Sequence, residues 1–440
     1  MIKQLFLSIL FVLMVVLAVG LVACDDDDDD DNDVTDDDDN NDDNDHNDDN
    51  DDNDTVDDDD DDDNDTVDDD DDTVDDDDDD DDDDDTPSIQ DCEPYGYGEA
   101  PNIIRGPYLQ HVTRNSMRIV WETDAPGNSI VRFGPTEDLG YYQCDLEEKT
   151  HHEIRVAKLS PDTRYHYVVR SHGAEAEMST LNTAVEADTP FTFAILGDNR
   201  SDPVTYREVV EGIIETAPNF VFNVGDIVAD GWQFDHYDAQ FFGPAADLMA
   251  DTPVYVSIGN HESESIYYYH LLSLPGGESF YTFNYGDARF ISLNTNRLYV
   301  QGSKQYRWFE EQLQRANDDG VEWIFVFSHH PAWSEGWDSP GYRGEILMRM
   351  SVVPLMEQYG VDVFFAGHTH DYERGEKNGV VHIITGGGGS ALDQQFYDFD
   401  HITVYETRYH FIKADIVGKT ASFEAMDPDG TVFDTWVMTH

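Results

Sequence analysis

Five short apolar runs in this sequence end in residues that ligate metal ions. Phe191–Leu196 leads into Gly197-Asp198-Asn199-Arg200, and residues 220–224 into Gly225-Asp226. Residues 253–258 lead into Gly259-Asn260-His261-Glu262, and residues 323–327 into Ser328-His329-His330-Pro331. The fifth run, 361–366, ends in Gly367-His368-Thr369-His370. Asp198, Asp226, Asn260, His329, His368 and His370 offer oxygen and imidazole donors and no sulfur. That mixture suits two divalent or trivalent cations, zinc, iron or manganese, bridged by one carboxylate. Gly197, Gly225, Gly259 and Gly367 each stand just before a candidate ligand, where a missing side chain lets the backbone turn sharply and come close to a metal.

Donors so far apart in the chain meet only if a fold collects strand ends. From Thr189 onward, buried strands alternate with helical stretches, which predicts an α/β arrangement. Helices are expected over 205–217, 235–250, 303–316 and part of 344–358. An antiparallel pair is expected over 279–284 and 288–293, and terminal strands over 409–416 and 421–426. In open α/β sheets the carboxyl edge of the strands is where chemistry is placed, so all five donor segments are expected on one sheet edge. Residues 100–183 differ. They carry short alternating runs at 116–121, 129–133, 152–156 and 165–170, with turn signals at Ala125-Pro126-Gly127-Asn128 and 159–163. That spacing predicts a small β-sandwich. It holds no catalytic cluster, and His151, His152, His166 and His172 read as strand or surface residues.

The chain has 440 residues and a net charge of −73, with 97 acidic residues against 24 basic. The aspartates of 25–85 account for 44 of these, leaving 53 acidic against 24 basic. So negative a surface repels a phosphate backbone and excludes nucleic-acid binding through a basic groove. Residues 25–85 cannot bury a core and repel themselves, so a disordered stalk is expected there. Residues 1–23 combine Lys3 with an apolar stretch, as a targeting segment does. The end of that segment, Leu21-Val22-Ala23-Cys24, resembles the lipobox of bacterial lipoproteins, in which Cys24 would be lipidated; an uncleaved membrane anchor is the alternative. Either reading exports the rest of the chain, to the periplasmic side or the outer cell surface. Outside the cytoplasm, Cys92 and Cys144 have the opportunity to pair; otherwise they are two separate thiols.

Taken in order, the five donor blocks resemble the calcineurin-like metallophosphoesterase superfamily. Gly367 to Arg374, together with Arg105-Gly106-Pro107-Tyr108-Leu109 and Leu159 to Tyr165 in the first domain, resemble its purple acid phosphatase branch, which carries an N-terminal fibronectin type III-like domain. The resemblance implies a four-layer α/β/β/α catalytic domain over 187–440, preceded by the β-sandwich at 99–186, the Asp-rich linker at 25–98 and the signal at 1–24. It implies that Asp226 bridges two metals, that Asp198 and His370 hold the first, and that Asn260, His329 and His368 hold the second. His261 would contact the phosphate and protonate the leaving oxygen. The implied reaction is in-line attack on phosphorus by a metal-bound hydroxide.

Two positions depart from that pattern. The superfamily commonly has His two residues after the first Asp, where this chain has Arg200. Purple acid phosphatases have a Tyr three residues after the bridging Asp, where this chain has Ala229, so a colourless protein is expected. Arg200 cannot ligate a cation because it stays protonated; it either reaches the substrate phosphate through a forked hydrogen-bond pair or pairs with a carboxylate such as Asp202. The functional expectation is hydrolysis of small phosphate monoesters. A phosphodiesterase acting on nucleotides or lipid headgroups, and a catalytically degraded adhesion or calcium-binding protein, are the alternatives.

Overall fold

The computed structural model describes Cys92 and residues 99–440, all within one compact unit. The signal segment, Cys24 and nearly all of the Asp-rich stretch lie outside the described residues.

Residues 103–182 form one six-stranded antiparallel sheet. The two strands expected at 116–121 and 129–133 are a single strand, Met117–Gly134. Its pairing with Tyr141–Val156 shifts register between Glu122, Gly127 and Ser129. The Pro126-Gly127 signal therefore bends the strand through a bulge rather than ending it. Trp121, Tyr167, Val169 and Leu181 are buried in this sheet's core. Cys92 is joined to Cys144 by a disulfide.

The sheet is bolted to the rest of the unit by polar contacts from buried side chains. Arg105 pairs with Asp238 through two hydrogen bonds of 2.6 and 2.7 Å. Tyr108 donates to the Leu271 carbonyl at 2.6 Å, and Tyr167 to that of Ala250 at 2.7 Å. Each hydroxyl or guanidinium so satisfied costs little to bury. The last strand of this region ends at Asn182 and the next begins at Phe191.

Two further sheets build the larger part. In one, Phe191–Leu196, Phe220–Asn223 and Val254–Val256 run parallel. Phe411–Val417, Thr420–Met426 and Val432–Thr439 extend it antiparallel. In the other, Ala288–Leu293, Trp323–Ser328, Val363–Ala366 and Val380–Thr385 run parallel. Tyr281–Tyr285, Tyr372–Lys377 and Ile402–Glu406 pair antiparallel outside them.

The sheets face each other through aromatic rings. Phe222 stacks on Phe327 at 3.7 Å, and Phe193 meets Phe290 and Phe325 at 5.2 and 5.4 Å. Alternation along the strand Trp323–Ser328 shows why its run is apolar throughout. Phe325 and Phe327 point to the partner sheet, while Ile324 and Val326 join Phe309, Leu313, Met356 and Ala316 beneath the helices Lys304–Asp319 and Val353–Tyr359. Such a strand has no solvent face. The helix Pro203–Glu215 packs against Phe411–Val417 of the first sheet. Helices thus flank two stacked sheets.

Two further sequence expectations need correction. The donor strands do not share one sheet: those ending at 196, 223 and 256 lie in one and those ending at 328 and 366 in the other. The helix expected at 235–250 is a short turn, Phe234–Tyr237, followed by a wide turn over Asp238–Phe242 and the helix Ala246–Asp251. Pro244 has no amide to continue the first segment. Residues 372–374 begin a strand for which the sequence offered no pattern.

Candidate metal centre

The carboxyl ends of strands from both sheets converge on one buried point. Asp198, Asp226 and His368 all adopt left-handed backbone, with φ of 57°, 56° and 72°. Side-chain-bearing residues rarely take this conformation without support from their surroundings. The neighbouring glycines supply room for it. A Cβ on Gly259 would stand 2.2 Å from Asp226 Oδ1, and one on Gly367 2.3 Å from Asp198 Oδ2.

Four donors form a tight knot. His329 Nε2 lies 3.2 Å from Asp226 Oδ1 and 3.0 Å from Asn260 Oδ1. His368 Nδ1 lies 2.9 Å from Asn260 Oδ1 and 3.3 Å from His329 Nε2. The His329 Nδ1–H donates to the Val224 carbonyl at 3.0 Å, so Nε2 is the ring nitrogen that faces the knot. Asp226, His329 and His368 are spaced to share one ion. A carboxylate, an amide oxygen and two imidazoles are a donor set that fits zinc, iron or manganese. Burial disfavours charge on His329, but Asp226 outweighs it and raises the imidazole to about 9. Burial also acts to raise Asp226, and His329 with His261 holds it below the usual carboxylate range.

The other predicted donors sit beside this knot. Asp198 is fully buried, and both its oxygens accept from the His368 amide, at 3.1 and 2.9 Å. His370 donates from Nδ1 to the Ala391 carbonyl at 2.7 Å, so its Nε2 faces inward, 3.7 Å from Asp198 Oδ1. Arg200 is part-exposed and does not pair with Asp202. Its Nε donates to Asp226 Oδ2 at 3.2 Å, and its Nη2 lies 3.4 Å from His370 Nε2. Asp202 is taken instead by the amides of Val204 and Thr205, as the cap of the helix Pro203–Glu215.

His261 donates from Nδ1 to the Ala229 carbonyl at 2.7 Å, and its Nε2 stands 3.8 Å from Asp226 Oδ2. Ala229, where a ligating Tyr would stand, thus orients His261 through its backbone. His330 is not in the knot: its Nδ1 lies 2.7 Å from Thr295 Oγ1. Trp337 and Tyr342 stand beside the His368 ring, at 4.8 and 5.1 Å, whereas Trp333 packs on His382 and His401 instead. A cleft of about 400 Å³ opens over Arg200, Trp337, Asp338, His370, Ser390 and Asp393.

Glu262 braces the loops. It is fully buried and accepts from the amides of Gly259 (2.6 Å), Asp226 (3.0 Å) and Val228 (3.2 Å). Burial and the nearby Asp226 push it up to about 7. Glu373 does the same for residues 334–336, accepting from Ser334, Glu335 and Gly336. Tyr372 and Arg374 both bond Asp434, away from the knot. Sequence reasoning missed Asn199 and Asn223, whose side chains bond each other at 2.8 Å beneath the two Asp loops, and Asn296, which holds the Gly259 carbonyl at 2.8 Å. The Asn that follows Asp198 was the available signal.

Residues 191–372 match the Calcineurin-like phosphoesterase family. The chain is 25% identical over 319 residues to purple acid phosphatase 15 of Arabidopsis thaliana, covering 61% of this chain but only 58% of that protein. It is 28% identical over 309 residues to purple acid phosphatase 18 of the same plant, covering 62% and 68%. A purple acid phosphatase from yellow lupin (Lupinus luteus) seeds superposes with a TM-score of 0.68 at 18% identity, over 76% of this chain and 74% of that one. The match to the calcineurin-like phosphoesterase family thus lies over residues 191–372, and the chain spans less than two thirds of the first of these relatives.

Proposed function

We propose that the protein is an exported, membrane-tethered phosphatase that hydrolyses small phosphate monoesters with metal ions held at this centre. The observation that supports it most is the four-donor knot of Asp226, Asn260, His329 and His368, set on strand ends of both sheets. These residues would hold one ion; the family resemblance implies a second, held by Asp198 and His370 with Asp226 shared. When bound, such ions polarise phosphoryl oxygens and lower the pKa of water.

The chain's own groups do the rest. His261, held through Ala229, places Nε2 beside the knot, 3.8 Å from Asp226 Oδ2, where it would serve the leaving-group oxygen as a proton donor. Arg200 lines the cleft, and its forked donors match phosphoryl oxygens. Trp337 and Tyr342 crowd the His368 side, which favours a small ester over a bulky one. The tether is read from Cys24 and the Asp-rich stretch behind it, which would hold the folded part away from a membrane.

Turnover of nitrophenyl phosphate against its bis-ester, with manganese, zinc or iron supplied, tests the reading. The monoester should be cleaved faster. Preference for the bis-ester would make the protein a phosphodiesterase. No cleavage of either would leave a degraded centre.

A further inference from the structure

The position two residues beyond Asp198 holds a permanent charge. Arg200 is anchored at its backbone, its amide donating to the Asp226 carbonyl at 3.2 Å and its carbonyl accepting from Ser390 Oγ at 3.1 Å. Its guanidinium uses Asp226 Oδ2 and abuts His370 Nε2. Those two atoms are the ones through which Asp226 and His370 would hold a first metal. The His370 tautomer agrees: with Nδ1–H given to Ala391, Nε2 accepts, and an Arg Nη2–H suits it. A guanidinium does not deprotonate to make way, and a divalent ion at the same oxygen would stand against it, like charge to like. Asp198, the remaining donor, is tied to the His368 loop by the amide that its two oxygens share. The opposite side of Asp226 contrasts with this. Oδ1, Asn260, His329 and His368 converge there with no fixed cation among them.

We infer that the centre is mononuclear: one ion is held by Asp226, Asn260, His329 and His368, and the Arg200 guanidinium serves as the second cation. This rests on the metal-dependent phosphoesterase reading and departs from the paired ions that the family implies. It assigns work to each remaining group. Arg200 neutralises charge on the phosphoryl group from a fixed position, with two donors in a plane. Asp198 is a positioning residue that aligns the His368 loop. His370 orients Arg200.

The full protein, stripped by a chelator and reloaded with Mn²⁺, is assayed for manganese per chain by mass spectrometry and for spin coupling by electron paramagnetic resonance. Wild type should retain about one ion and give the six-line spectrum of isolated Mn²⁺. Arg200→His removes the charge and supplies an imidazole beside Asp198, Asp226 and His370; it should retain about two ions with an exchange-coupled spectrum. Arg200→Ala, which only empties the space, should also gain manganese. Two coupled ions in wild type, or none, would overturn the inference, and so would an Arg200→His protein that folds and stays at one. A wild type holding one ion without cleaving any phosphate ester would support the inference while refuting the phosphatase reading.

Discussion

Glu262→Gln tests whether the site depends on the brace behind it. The substitution keeps the shape and removes the charge and one acceptor. In the native protein two carboxylate oxygens receive three amides: Oε2 those of Gly259 and Asp226, and Oε1 that of Val228. A glutamine has one acceptor oxygen. Its better orientation keeps Gly259 and Asp226 and turns an NH₂ toward the Val228 amide, leaving at least one buried donor unpaired. That costs about 1–3 kcal/mol, and the two surviving bonds lose their charge assistance. For a domain of this size the melting temperature should fall by roughly 2–4 °C. Because the amides in question belong to the Gly259–Asn260 and Asp226 loops, metal affinity should fall by about 10–100-fold. Calorimetric titration of zinc or manganese into wild type and variant, beside a thermal melt, measures both. A variant that melts lower but binds metal as tightly as wild type would refute the coupling, and show that Glu262 supports only the fold.

Other consequences follow from the same structure. His261→Asn should lower kcat by about 100-fold or more with a poor leaving group such as an alkyl phosphate, and by much less with nitrophenyl phosphate, which departs unprotonated; equal losses on both would remove the general-acid role. Cys92 and Cys144 are 52 residues apart, so opening their bridge by Cys144→Ser should cost about 4 kcal/mol on the chain-entropy account, read as a lower denaturant midpoint; an unchanged midpoint would show the bridge is dispensable. His152 is buried against Trp121 and between Thr123 and Ser129, and burial lowers it to about 4. The fold therefore binds this proton less well than the unfolded chain. Its stabilising effect is complete above the ordinary histidine value of 6.5 and is lost as pH falls toward 4. Melts between pH 7 and 4 should show a steeper acid loss for wild type than for His152→Gln, and parallel curves would contradict this.

The candidate donors were legible because each ends a run that is apolar on both faces. A strand such as Trp323–Ser328, buried between a sheet and a helix layer, has no reason to alternate, and the polar residue that stops the run is conspicuous. The same uniformity hides sheet membership: nothing in Phe220–Asn223 distinguishes it from Val363–Ala366, although they lie in different sheets. Tyr372–Lys377 was missed for the opposite reason. Its charged residues carry no apolar pattern, and Glu373 is buried by its bonds to a distant loop. The partner of Arg200 was equally invisible. Asp202, two residues away, was the local candidate, yet its oxygens cap a helix, and the guanidinium turns to Asp226, 26 residues further along. Long-range competition for one side chain leaves no mark on spacing.

The central claim is that oxygen and imidazole donors from two sheets hold metal for phosphate-ester hydrolysis, and Asp226→Asn addresses it most directly. Asp226 touches His329, Arg200 and the His261 amide at once. Metal content and nitrophenyl phosphate turnover should be measured on the same preparations of wild type and variant. The account predicts a metal-loaded, active wild type and a folded variant whose bound metal and rate fall together, the rate by about 100-fold or more. A variant that turns over substrate at the wild-type rate, or loses its metal while keeping that rate, would contradict it.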